Sequence, residues 1–175
     1  MPQPIEVPVL IAGGGPVGLT MAVELAHYGV RSLLVERNPS TTRHPKMDLT
    51  NGRAMDLFRR IGLAEKLREA GVPFDSNYDI IWTTDLKPGS HELHRFCYPS
   101  NRVEYWRRRN RNDGTLSFEP PLRVSQILIE PIIREVAESK PEADVRFSCR
   151  LESFTRGVEK SRRDAVALSP RGLKI

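Results

Sequence analysis

Residues 9–18 read Val9-Leu10-Ile11-Ala12-Gly13-Gly14-Gly15-Pro16-Val17-Gly18, an apolar run that passes through three glycines into a helical pattern. Working outward, residues 5–12 form one compact apolar stretch punctuated by prolines, the pattern of a buried parallel strand, although Pro8 interrupts its supply of N–H donors. Over 16–28, Val17, Leu19, Met21, Ala22, Leu25 and Ala26 recur at helical spacing, and Gly29 ends the helix. Residues 30–36, centred on Leu33, Leu34 and Val35, read as a second strand that finishes on the carboxylate of Glu36. Strand, glycine turn, helix and strand together predict an α/β protein with a Rossmann-like parallel sheet.

Each glycine of such a turn has its own task. Gly13 permits the tight turn, Gly15 lets the backbone approach a pyrophosphate that a Cβ would obstruct, and Gly18 lets helix and strand pack closely. The helix N-terminus adds its dipole and its free N–H groups. Isolated, a GxGxxG match is weak; here a strand precedes it, a helix follows, and Glu36 closes the next strand roughly 20 residues on, where an acidic residue accepts hydrogen bonds from an adenosine ribose. The same charge repels a 2′-phosphate. The loop alone leaves FAD and NAD open.

At 175 residues, 39% hydrophobic and 28% charged, the chain suits one globular domain with a sizeable core. Its longest early apolar stretch falls far short of the roughly 20 residues of a spanning helix, and with no leader-like pattern the expectation is a cytoplasmic protein without a membrane partner. Cys97 and Cys149 stand apart from each other and from any histidine cluster, so neither a disulfide framework nor a metal site is expected, and each reads as a partly buried thiol. His91-Glu92-Leu93-His94 misses the HExxH spacing by one residue and reads as a surface strand. A net charge of +5 and the run Arg107-Arg108-Arg109-Asn110-Arg111 raise nucleic acid as a partner. Lying before the turn signal Asn112-Asp113-Gly114, the run reads instead as a solvated hairpin arm, and no nucleic-acid partner is expected.

Downstream, residues 37–51 carry no period of their own. Helical spacing returns over 53–58 and 63–70, separated by Gly62, as two short helices or one broken one. Residues 76–118 place Ile80, Ile81, Trp82, Phe96, Tyr98, Val103, Tyr105 and Trp106 between turn formers such as Lys87-Pro88-Gly89 and Pro99-Ser100-Asn101, predicting an antiparallel β insertion. A further amphipathic helix is expected over 125–139, capped by Ser125, with Pro131 kinking it or delaying its start. A strand over 145–149 follows, with 151–154 as a candidate extension, and no strand leading to an Asp-Gly pair is evident in 155–175.

Two blocks carry a resemblance. Gly13 to Leu19 with Glu36-Arg37, Thr41-Thr42-Arg43-His44-Pro45-Lys46 and Asn51-Gly52-Arg53-Ala54-Met55-Asp56-Leu57-Phe58 forms the first; Arg123-Val124-Ser125-Gln126, Glu130-Pro131 and Arg134-Glu135 form the second. Across roughly 5–155 the chain resembles the FAD-dependent aromatic-ring hydroxylases, single-component monooxygenases akin to p-hydroxybenzoate and phenol hydroxylases. The resemblance implies that NAD(P)H reduces the flavin and that O₂ is spent on hydroxylating a small phenolic substrate, with no catalytic triad and no metal. It implies cofactor contacts at Gly13, Gly15, Pro16, Val17, Gly18, Glu36, Arg37, Lys46, Arg53 and Gln126. Glu36 takes the ribose, Arg37 lies near the adenine, and Lys46 and Gln126 stand toward the flavin. Residues 1–155 would then be a partial FAD-binding domain whose insertion, 76–118, belongs to the substrate side, and 156–175 a basic tail of uncertain structure. Family members are at least twice this length and carry later Asp-Gly and Gly-Asp motifs that this sequence lacks. The expectation is therefore an N-terminal portion of a hydroxylase, the alternative a catalytically incompetent FAD- or adenine-nucleotide-binding remnant.

Overall fold

A computed structural model describes residues 5–44, 46–155 and 165–170. The chain divides into two compact units, one of residues 1–46 and 126–175 and the other of residues 47–125.

The first unit is organised by a parallel sheet of β2 (Val9–Ala12), β3 (Ser32–Val35) and β8 (Ala143–Arg146), with β3 central. Ala12 pairs with Val35, which pairs in turn with Arg146. All four residues of β3 are buried, which explains its uninterrupted apolar run. Helix α1 (Pro16–His27) crosses from β2 to β3 and turns Leu19, Ala22, Val23 and Ala26 inward. It packs with α5 (Gln126–Glu138), which buries Ile129, Ile133 and Ala137. The first helix, the second strand and the parallel sheet stand as read from the sequence.

The predicted strand over 5–12 is in fact two. β1 (Ile5–Glu6) joins a separate antiparallel sheet, ordered β1-β10-β9 with β9 (Cys149–Thr155) and β10 (Ala165–Pro170), whereas β2 alone enters the parallel sheet. The break falls at Val7–Pro8, where proline has no N–H to give a ladder. Similarly, residues 143–155 form two strands, divided at Ser148 with its left-handed φ of 55°. The basic tail, whose structure the sequence left open, contributes β10; residues 156–164 and 171–175 lie outside the described residues. Helix α5 begins at Gln126 and continues through Pro131, so the proline does not delay it.

In the second unit, β4 (Leu49–Thr50) pairs with β7 (Leu122–Arg123), and α2 (Gly52–Arg60) and α3 (Ala64–Ala70) are separated by Gly62 at φ 77°. Met55, Leu63, Leu67 and Leu122 are fully buried there. The hairpin β5 (Ile80–Thr83) with β6 (Glu92–Phe96) realises half of the predicted β insertion, turning at Gly89, and exposes His94. The arginine run belongs to a helix, α4 (Asn101–Arg111), and is no hairpin arm. Ser100 caps α4 by accepting from the Val103 N–H, and Glu104 binds Arg107 and Arg108 one turn later, both at 3.0 Å. Asn112, at φ 36°, closes α4 by donating to the Arg108 carbonyl, so the turn signal ends a helix. Among the described residues no helix is long and apolar enough to cross a membrane.

Candidate functional site

The first unit carries a cavity of about 640 Å³ at the C-terminal ends of the parallel strands, bounded by the glycine turn, Glu36, the segment 38–46 and the first turn of α5. That volume lies within the range of small-molecule and cofactor pockets. Its position follows from the βαβ topology, which opens a crevice beyond the strand ends.

Gly13, at φ 117°, turns the chain out of β2, and its N–H donates to the Val35 carbonyl at 2.8 Å, tying the turn to the end of β3. A Cβ at Gly18 would overlap the Gly13 carbonyl oxygen and approach Ile11 Cγ2 at 3.3 Å, so this glycine permits the close contact of α1 with the turn. Gly15 differs. No protein atom comes within 4 Å of a Cβ built there, and the residue borders the cavity. It is also the N-cap of α1, where among the described residues no side chain caps the helix and no acidic residue occupies the first turn. Pro16 fills the first helical position, which needs no N–H acceptor, and Val17 beside it is 80% exposed. A helix that starts on bare backbone leaves its N–H donors and positive dipole end facing the cavity, a fit for an anionic phosphate.

Glu36 is fixed from three directions. Its backbone N–H donates to the Arg146 carbonyl and its carbonyl accepts from Cys149, both at 2.9 Å, which continues the sheet past β3. Its carboxylate accepts from the Gly14 N–H at 2.8 Å and the Asn38 N–H at 2.7 Å, one bond per oxygen. About two of its four acceptor directions remain for a ligand's hydroxyls. Gly14, treated in the sequence as the variable position of the motif, proves to be constrained, because a Cβ there would meet Glu36 Cβ at 2.8 Å and Phe147 at 3.0 Å.

Of the remaining residues singled out in the sequence, Lys46 and Gln126 border the cavity and meet through a hydrogen bond of 3.1 Å from the Lys46 N–H to Gln126 Oε1. Arg37 is exposed and does not line the cavity, and Arg53 lies in the first turn of α2, in the second unit. Sequence reasoning passed over Glu130, buried at 2% exposure, which accepts from the Thr42 N–H at 2.7 Å and from Gln126 Nε2 at 2.6 Å. Its four-residue spacing from Gln126 on an otherwise apolar helix face was the available signal.

The second unit holds a smaller cavity of about 300 Å³ bordered by Tyr105, Arg108 and Arg111. Arg108 is already paired with Glu104 and Arg111 with Asp113, and the Gly114 turn on its border leads into no helix. Among the described residues, the glycine turn, helix start and strand-end carboxylate of a nucleotide site meet at the first cavity.

Residues 6–169 match the family model described as FAD binding domain. The chain is 45% identical over 155 residues to the FAD-dependent monooxygenase apdD of Emericella nidulans, covering 86% of this chain and 24% of that protein. It is 36% identical over 155 residues to 4-methyl-5-nitrocatechol 5-monooxygenase of a Burkholderia species, covering 87% of this chain and 26% of the relative. Among solved structures it resembles RebC soaked with K252c, with a TM-score of 0.76 and 32% identity over 97% of this chain and 30% of the other. Aklavinone-11 hydroxylase in a ternary complex with FAD and aklavinone gives a TM-score of 0.73 at 26% identity, covering 98% and 31%. The chain thus spans about a quarter of the length of these curated relatives. With its glycine turn, strand-end glutamate and parallel sheet, and with its similarity to FAD-dependent monooxygenases and hydroxylases, it belongs to the FAD binding domain family.

Proposed function

We propose that this chain holds FAD in the 640 Å³ cavity and forms the flavin-binding portion of an oxidoreductase that hydroxylates a small phenolic substrate with NAD(P)H and O₂. The observation that carries this reading is the bare start of α1 at Gly15, set beside a strand-end carboxylate whose orientation is fixed by backbone bonds. The N–H groups of Val17 and Gly18 bind pyrophosphate oxygens, with Gly13 and Pro16 shaping the turn. Glu36 accepts the ribose hydroxyls and disfavours a 2′-phosphate. Arg37 lies near the adenine, and Lys46 and Gln126 serve the flavin side. Residues 76–118 are assigned to the substrate side.

When bound, FAD supplies the electron transfer from nicotinamide to O₂. The chain's own share is binding and orientation: phosphate charge meets the α1 dipole, and Glu36 fixes the ribose. Recombinant protein should carry a visible flavin absorption band or acquire one on reconstitution, and Glu36→Ala should weaken that binding. Protein that holds no flavin even after reconstitution would sink the reading. The alternative reading is an FAD- or adenine-nucleotide-holding chain without turnover. NAD(P)H oxidation stimulated by a phenol would exclude that alternative.

A further inference from the structure

We propose that Glu130 is a positioning residue that, with Gln126, clasps the 37–46 segment against α5 and thereby sets one wall of the cofactor cavity. Its described residues, 37–44 and 46, form no helix or strand, and their hydroxyl contacts, such as Thr42 Oγ1 with His44, are local. Its ties to α5 are backbone N–H bonds from Thr42 to Glu130 and from Lys46 to Gln126. The donors are four residues apart on the segment and the acceptors four apart on the helix, in opposite order, so the segment runs antiparallel to one helix face. All four residues border the cavity.

The chemistry of the chain of contacts fixes its orientation. A carboxylate only accepts, so the Gln126 amide must present Nε2 to Glu130, which leaves Oε1 for the Lys46 N–H. Both ends of the relay are donors. It closes when its two middle members are one carboxylate and one amide, in either order. Two amides leave one donor facing another whichever way they flip, and two carboxylates face each other at the centre. Because Glu130 and Gln126 are only 2% and 7% exposed, little of such a mismatch is relieved by water.

This parity rule supplies the test. Arg37, Arg43 and Lys46 make the segment cleavable by trypsin without reference to any flavin. In the flavin-free chain, Glu130→Gln and Gln126→Glu should each raise cleavage at these three bonds by about tenfold or more, the factor expected when one buried donor or acceptor loses its partner. The double exchange Gln126→Glu with Glu130→Gln should return protection to within about threefold of wild type, well inside the tenfold loss of a single mismatch. Cleavage elsewhere, as at Arg59, should stay unchanged throughout. Single variants that leave the three bonds as resistant as wild type would overturn the proposal. So would a double exchange that stays open, or a rise in cleavage across the whole chain, which would mark a general packing role. The effect on flavin rests on the FAD reading above: Glu130→Gln should weaken FAD binding, and FAD should protect the same bonds in the wild type. If wild type binds no flavin, that reading fails while the proteolysis pattern still decides the clasp.

Discussion

Gly15 and Gly18 stand three residues apart in one turn, and the structure gives them opposite sensitivities to a methyl group. Gly15 has φ −78° and ψ −178°, an extended conformation open to alanine, with no protein atom near the added Cβ. Gly15→Ala gains about 0.4–1 kcal/mol by restricting the unfolded chain, and loses about the same because alanine is the poorer N-cap. The two offset, so the melting temperature should stay within about 2 °C of wild type. A Cβ at Gly18 collides with the carbonyl of Gly13, which is backbone and cannot rotate away. Overpacking there costs about 3 kcal/mol, the upper end of its usual range, less about 1 kcal/mol of helix propensity. The net of about 2 kcal/mol should lower melting by about 4–8 °C for a chain of this length. Binding should separate the two variants in the other direction. The methyl at Gly15 enters the space through which a phosphate must reach the α1 N–H groups, and losing one charge-assisted hydrogen bond of about 1.5–3 kcal/mol weakens affinity by about 10- to 150-fold. Circular-dichroism melting and flavin fluorescence titration measure the two quantities. The reasoning is refuted if Gly15→Ala binds FAD like wild type, or if it melts as low as Gly18→Ala.

In the second unit, Tyr105 should resist ionisation. Burial, and then its hydrogen bond to the Glu119 carboxylate, push its phenol up to about 12. The folded state therefore keeps a proton that the unfolded chain releases, so stability present below about pH 10 is lost as pH rises from there toward 12, and Tyr105→Phe should flatten that part of the profile in urea titrations at graded pH. A wild-type profile that is already flat across this window would count against the assignment. The two thiols should also differ. Cys97 is exposed, correcting its expected partial burial, whereas Cys149 is half-buried and its thiol is pushed up by desolvation. A thiol reagent at mildly alkaline pH should show one fast and one slow phase, with Cys97→Ser removing the fast one; a fast phase that survives Cys97→Ser would reverse the assignment.

How much of this was legible in the sequence depends on the distance over which each feature is decided. The βαβ unit is written in consecutive residues: strand apolarity, the glycine turn, α1 periodicity and Glu36 at a strand end all lie within 9–36. Helix α4 was legible but misread. Val103, Tyr105 and Trp106 carry β propensity, and that outweighed two better local signals, a Ser100 cap and a Glu104 spaced three and four residues from Arg107 and Arg108. The error was one of period rather than missing information. Glu119 is another matter. It is 4% exposed because Arg68 reaches it from 51 residues away at 2.7 Å, and no local pattern announces that partner.

The cavity combines both kinds of information. Its phosphate end is a local motif whose donors are main-chain N–H groups, so glycine spacing alone reveals it. Its opposite wall consists of main-chain donors on an irregular segment met by α5 side chains 80 and 88 residues later. Those donors belong to the backbone of Thr42 and Lys46, so the identities of these two residues say little about the contact; the acceptors alone are encoded, as a glutamine and a glutamate one helical turn apart. An amphipathic helix read only for its apolar stripe treats such a pair as ordinary polar residues. A buried carboxylate held, among the described residues, by two neutral donors is costly to keep if either bond is lost. Glu130 thus specifies the path of a segment whose own sequence does not.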